Sequence, residues 1–147
     1  MKKILVVIFV CFYSMNSFAN DSLSLINKVI LCTKVESDFI IMTGFKFLNE
    51  NQVQYLNKHT NNDNLTEAIL EFRTSLNQIN IIGNSFHYNH TIYRDTLDIK
   101  VGVEETNQLA WEGKFCEVKN PTADNFVRYF KNSFARTLLK AKIKKKI

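Results

Sequence analysis

From Val29 onward apolar and polar residues alternate with a period close to two, the spacing of strands that bury one face. Phe39, Ile41, Phe45 and Phe47 share one face of a single run. Ile40 and Met42 on the opposite face are also apolar, which predicts a strand covered on both sides, with a bend at Gly44. Asn49-Glu50-Asn51 reads as a turn, Val53 and Tyr55 open another alternation, and His59 to Asn64 reads as a polar surface loop. Leu65 to Arg73 fits two periods: Ala68, Leu70 and Phe72 alternate, while Leu65, Ile69 and Phe72 also match helical spacing, and the neighbouring segments favour strand. Gln78 to Ile82, Ser85 to Asn89 and Ile92 to Val103 continue the series, with Gly83-Asn84 as a hairpin turn. The clearest alternation sets Leu97, Ile99, Val101 and Val103 against Asp98, Lys100 and Gly102. After a polar turn at Glu104 to Gln108, Leu109, Trp111 and Phe115 define a closing strand that carries Cys116. About seven or eight short strands, with no βαβ alternation, predict a mainly β fold: an antiparallel meander forming a small barrel or sandwich.

The period changes near the C-terminus, where a C-terminal amphipathic α-helix is expected from about 121 to 143. Asn120-Pro121 suits a helix entry, because proline is tolerated in the first turn, and Asp124 and the terminal lysines suit the helix dipole. At helical spacing Phe126, Val127, Phe130, Phe134, Leu138 and Ala141 share one face, and Arg128, Lys131, Arg136, Lys140 and Lys142 occupy the other. Two uses of this helix are open from the pattern: its stripe packs on the sheet as core, or its basic end meets an anionic membrane surface or an acidic partner. The two are compatible if the first turns dock and Lys140 to Lys146 stays free.

The first residues have a different character. Met1, Lys2 and Lys3 are a short basic start, Ile4 to Tyr13 is continuously apolar or aromatic, and Ser17-Phe18-Ala19 offers the small residues of a cleavage site. That apolar run falls well short of the roughly 20 residues of a membrane-spanning helix. Residues 1–19 are therefore expected to be a signal peptide, 20–120 a disulfide-tied antiparallel β domain, and 121–147 a basic helix and tail docked on it. Abundant Asn, Lys and Ile suggest a bacterial periplasm or exterior. Cleavage removes Cys11 and leaves Cys32 and Cys116, a pair with one possible intramolecular bridge and an oxidising compartment to form it in.

Charge sharpens the division. Phe126 to Ile147 carries eight basic residues, among them Lys144, Lys145 and Lys146, and no acidic one. The rest of the expected mature chain has nine Lys and Arg against fourteen Asp and Glu, so an overall excess of positive charge hides an acidic body and a basic tail. Nucleic acid is not an expected partner, since no nucleic-acid-binding motif accompanies the charge.

Chemistry-bearing clusters are sparse. His87 and His90 supply two histidines where metal sites need three or four ligands, and the expected places are an exposed strand position for His87 and an adjoining turn for His90. Glu104-Glu105 would point to opposite faces of a strand. With four glycines and no G-x-S-x-G, P-loop or G-x-G-x-x-G, no cofactor is expected, and no metal and no catalytic residues are assigned. Arg94 could pair with Asp95 or contact a partner, and Trp111 is either core or a binding anchor. Asn64-Leu65-Thr66 and Asn89-His90-Thr91 are glycosylation sequons by letter.

Ile92-Tyr93-Arg94-Asp95-Thr96-Leu97-Asp98-Ile99 followed by Trp111-Glu112-Gly113-Lys114-Phe115-Cys116 resembles the closing hairpin of small exported bacterial β-proteins. In those proteins an Arg-x-Thr strand precedes a last cysteine bridged back to the first strand. The layout is also similar to that of periplasmic lysozyme inhibitors, which are disulfide-tied β-barrels. The resemblance implies fold and bridge rather than activity. The expected function is an exported, non-catalytic binding or interaction module, in one form an inhibitor of a cell-wall hydrolase or toxin. The alternative is a peripheral membrane-surface protein using the basic helix. An enzyme with a site assembled from distant residues ranks below both.

Overall fold

The computed structural model describes residues 25–36, 39–83, 88–103, 109–113, 116–119 and 125–144. Its described strands are β1 (Val29–Glu36), β2 (Phe39–Phe47), β3 (Gln52–His59), β4 (Asn62–Thr74), β5 (Gln78–Ile82), β6 (Tyr88–Tyr93), β7 (Ile99–Val103), β8 (Leu109–Gly113) and β9 (Cys116–Lys119), followed by helix α1 (Phe126–Lys144). All pairs are antiparallel, and the strand order is β8-β7-β6-β5-β4-β3-β2-β1-β9. Every neighbour from β1 to β8 is also a neighbour in sequence, so the sheet is a meander. Only residues 114 and 115 separate β8 from β9, yet β8 pairs with β7 at one end of the order and β9 with β1 at the other. The sheet therefore curls into a half-barrel whose two edges are drawn together by its last strand, and β8 and β9 act as one interrupted eighth strand.

Alternation sorts the side chains onto two faces. Ile30, Phe45, Phe47, Val53, Leu70, Phe72, Ile79, Ile81, Ile92, Ile99 and Val101 pack inside the curl, with Leu25 against them. On the outside, Val29, Leu31, Ile40, Met42 and Leu56 form a second cluster with Phe126, Phe130 and Phe134 of α1. β1 and β2 are thus buried on both faces, as the apolar character of Ile40 and Met42 predicts, whereas β5 to β7 bury one. Cys32 and Cys116 face each other directly across the β1–β9 pair, with Cα atoms 4.0 Å apart, and are joined by a disulfide. The bridge ties the first strand to the last.

Several sequence expectations are corrected. His59 to Asn64 is no loop: β3 runs to His59 and β4 starts at Asn62, leaving a tight turn at Thr60 and Asn61. Ile92 to Val103 is two strands rather than one segment. A turn at Arg94–Thr96 separates β6 from β7, and Leu97 sits at φ 55°. That left-handed conformation is costly for a bulky residue. It is held because Leu97 packs against the inner cluster, its N–H donates to Tyr93 O at 2.8 Å, and its carbonyl accepts from Cys116 N–H at 3.1 Å. Gly44 keeps regular partners in Leu31 and Leu56, without a register shift. The helix described begins at Phe126, not near Pro121. The expectations for residues 1–19, His87, the Gly83-Asn84 turn beyond Gly83, Glu104-Glu105, Phe115, Pro121, Asp124, Lys145 and Lys146, and for the side chain of Trp111, lie outside the described residues.

Candidate functional site: the helix flank and its groove

α1 is capped by Asn125, whose Oδ1 accepts the Arg128 N–H at 2.9 Å and whose carbonyl accepts the Tyr129 N–H at 3.1 Å. This N-cap satisfies donors that the first helical turn leaves open. Phe126, Phe130 and Phe134, one turn apart, then go down onto β1 to β3 and are at most 5% exposed. Gly44 is the seat for these rings: a Cβ there would stand 2.7 Å from Phe130 Cδ2 and 3.0 Å from Phe126 Cζ. On the flank toward β3, the Lys58 ammonium lies 5.6 Å from the Phe134 ring centroid.

Past Phe134 the helix changes character. Leu138 and Ala141 are only partly buried, and Leu139 and Ile143, on the side away from the sheet, are 60% and 52% exposed. Around them Arg136, Lys140, Lys142 and Lys144 are all exposed, and the helix contains no acidic residue. The sequence pattern places Arg128, Lys131, Arg136, Lys140 and Lys142 on the outer face, and all five are exposed there. It does not single out Leu139 and Ile143, because they lie off the aromatic stripe and their apolar character adds nothing to it.

Between the other flank of α1 and strands β1 and β9 runs a groove of about 740 Å³. Leu31 and Met42 form its buried base, and Thr33 and Val35 continue it along β1, with Val35 53% exposed. Tyr129, Ser133, Thr137 and Ala141 line the helix side. Its charged rim has Lys119 and Glu117 on β9 and Arg136, Lys140 and Lys144 on α1. Glu117 bonds Lys119 at 2.6 Å, which raises the lysine pKa through the hydrogen bond and then through the charge. Among the described residues, no acidic side chain pairs with Arg136, Lys140 or Lys144.

The remaining candidates lie elsewhere. Arg94, read as a strand residue, belongs to the β6–β7 turn. Its N–H donates to Asn77 O at 2.9 Å and its guanidinium to Ser75 O at 3.5 Å, tying two turns together, while Asp95 accepts the Thr96 N–H. His90 is not in a turn: it is an inner residue of β6, 3% exposed, with its ring 5.4 Å from Phe45 and 5.2 Å from Tyr55. Its Nδ1 and that of His59 are buried with no hydrogen-bond partner among the described residues. Burial lowers the His90 pKa to about 4 and raises that of Tyr55 to about 12, the latter opposed by a hydrogen bond with Asn57. A second concavity, of about 590 Å³, is lined by Tyr93, Asp95, Asp98, Lys100 and Glu112, but its lysine is already 3.5 Å from Glu112. Among the described residues no three His, Cys, Asp or Glu side chains converge as metal ligands, and no helix is long and apolar enough to cross a membrane.

Comparison with protein-family models, with curated proteins and with solved structures finds no match to this chain. The fold and the site define its class: a disulfide-closed β half-barrel carrying a docked helix with a basic free end.

Proposed function

We propose that this chain is an exported, non-catalytic binding module that attaches peripherally to an anionic lipid surface through the C-terminal half of α1. The observation that carries the proposal is the change along the helix. Three phenylalanines anchor its first half, and then Leu139 and Ile143 stand exposed among Arg136, Lys140, Lys142 and Lys144. Interfacial helices combine apolar side chains that enter the headgroup boundary with cations that meet anionic lipid, each cation contributing about 1 kcal/mol near the surface. The anchored half holds the free half rigid, so little ordering entropy opposes attachment.

Export belongs to the same proposal. A Cys32–Cys116 bridge suits an oxidising compartment, and residues 1–19 have the three parts of a signal peptide in order. N-terminal sequencing of the protein recovered from the periplasm is expected to begin at Asn20; a retained Met1 would overturn the cleavage.

The deciding experiment is flotation with vesicles of phosphatidylcholine, with and without phosphatidylglycerol. Association is expected only with the anionic lipid. It should weaken as salt rises and vanish in Leu139→Asp/Ile143→Asp. Binding indifferent to lipid charge and to that double substitution rejects the proposal. No flotation, with stable capture of a cell-wall hydrolase or toxin from periplasmic extract, would put the inhibitor reading in its place.

A further inference from the structure

We propose that the groove between α1, β1 and β9 binds a single-chain anionic amphiphile, its acyl chain lying along Val35, Tyr129 and Ala141 and its acid group among Arg136, Lys140 and Lys144. The site lies on the flank of α1 that faces β1; it shares Arg136, Lys140 and Lys144 with the lipid-facing end proposed above but not Leu139 or Ile143, and goes beyond attachment to a lipid surface.

Size comes first. A groove of about 740 Å³ is within the range of small-molecule sites. Its β1 wall from Leu31 to Val35 extends about 13 Å and its helix wall from Tyr129 to Lys144 about 22 Å, by the rise per residue of strand and helix. The shape is a trough suited to a narrow, elongated ligand.

Charge selects the sign. Arg136, Lys140 and Lys144 are spaced four residues apart on one flank, so their like charges repel along a single row. Glu117, the one carboxylate among the described lining residues, is already bonded by Lys119 at 2.6 Å. An entering carboxylate or sulfate relieves the repulsion and meets several cations at once; an ammonium headgroup adds to it.

The walls select the chain. They consist of a sheet face and a helix flank: the backbone groups of β1 lie in the plane of the sheet, paired to β2 along the strand and to β9 as far as Cys32, and those of the helix are bonded within it up to its last turn. A peptide laid here would lose water from its amides and find few backbone partners, at a cost for each unsatisfied group. An alkyl chain has no such groups and covers Val35, which is 53% exposed.

The test is titration of the purified, oxidised protein with dodecanoate below its micelle concentration, followed by calorimetry and by amide NMR. Saturable binding is expected, with shifts at Val35, Lys140 and Ala141. Acetate, which lacks the chain, and dodecyltrimethylammonium, which inverts the charge, should both bind at least about tenfold more weakly. Val35→Asp and Lys140→Glu/Lys144→Glu should each weaken dodecanoate about tenfold, equivalent to about 1.4 kcal/mol. Exposed side chains are altered in both variants, and an unchanged circular dichroism spectrum verifies the fold. Equal affinity for the cationic amphiphile, unchanged binding in both variants, or tighter binding of hexaglutamate than of dodecanoate would each overturn the proposal. Dodecanoate binding is measured without vesicles, so its loss and the loss of flotation are separate results.

Discussion

His90 is an imidazole placed among aromatic rings, its Nδ1 without a hydrogen-bond partner among the described residues, and that placement makes the fold sensitive to acid. Its pKa is lowered from 6.5 to about 4 by burial, so between these values the unfolded chain binds a proton that the folded chain refuses. Stability contributed by the neutral ring is complete above pH 6.5 and is lost as pH falls toward 4, by up to about 3 kcal/mol. Urea titrations from pH 7 to pH 4 should show this loss, and His90→Leu, close in volume and without a proton to bind, should remove most of it. A pH dependence unchanged in that variant would assign the effect to other groups. Gly44 gives a second residue-scale expectation. A methyl group 2.7 Å from Phe130 Cδ2 must displace the ring or the helix, so Gly44→Ala should destabilise by about 1–3 kcal/mol in urea unfolding. Neither role is legible in sequence. A histidine between Asn89 and Thr91 looks polar and surface-bound, and a glycine within a strand suggests a bend until the helix that packs over it is known.

At the scale of elements, period was an effective guide and boundaries were not. β5 falls on the predicted Gln78–Ile82, and β4 covers the segment where strand and helix spacings competed, because its pairing with β3 decides what local periodicity leaves open. The β6–β7 turn was hidden because Leu97 keeps the apolar alternation in step while its backbone leaves the strand. For α1, the stripe from Phe126 to Ala141 identifies both the helix and the face it buries. The described helix starts later than the sequence predicts, because Pro121 is a strong entry signal whereas the cap is made by Asn125 through its bond to Arg128 N–H. Asn125→Ala should therefore cost about 1 kcal/mol, read as a lower urea midpoint with an unchanged m-value. Of the candidate site, the basic face was legible at helical spacing. Its groove was not, since Val35, Glu117 and Lys119 come from strands whose position beside α1 depends on tertiary packing.

For the whole molecule the decisive feature is the seam where β9 meets β1. β9 has four residues and its pairing with β1 ends at Cys32, so few hydrogen bonds hold the last strand against the first. The disulfide sits at the end of that short ladder and joins cysteines 84 residues apart. In the chain-entropy model a bridge of this span contributes about 4–5 kcal/mol, a large share of the 5–15 kcal/mol typical of a domain. The cysteine pairing and a curled meander tied from first strand to last are legible in the sequence, but not that one interrupted strand, β8 with β9, serves both edges of the meander. Reduction, or Cys32→Ser/Cys116→Ser, is expected to lower the urea midpoint strongly and to accelerate hydrogen exchange first in β1 and β9, while β3 and β4, in the middle of the sheet, exchange last. Loss of protection simultaneously throughout the sheet would mean that the bridge supports global stability without guarding this seam. Local opening has a functional consequence as well. β1 and β9 form one wall of the groove, so reduction should weaken dodecanoate binding before it unfolds the chain, coupling the proposed site to the oxidising compartment in which the bridge persists.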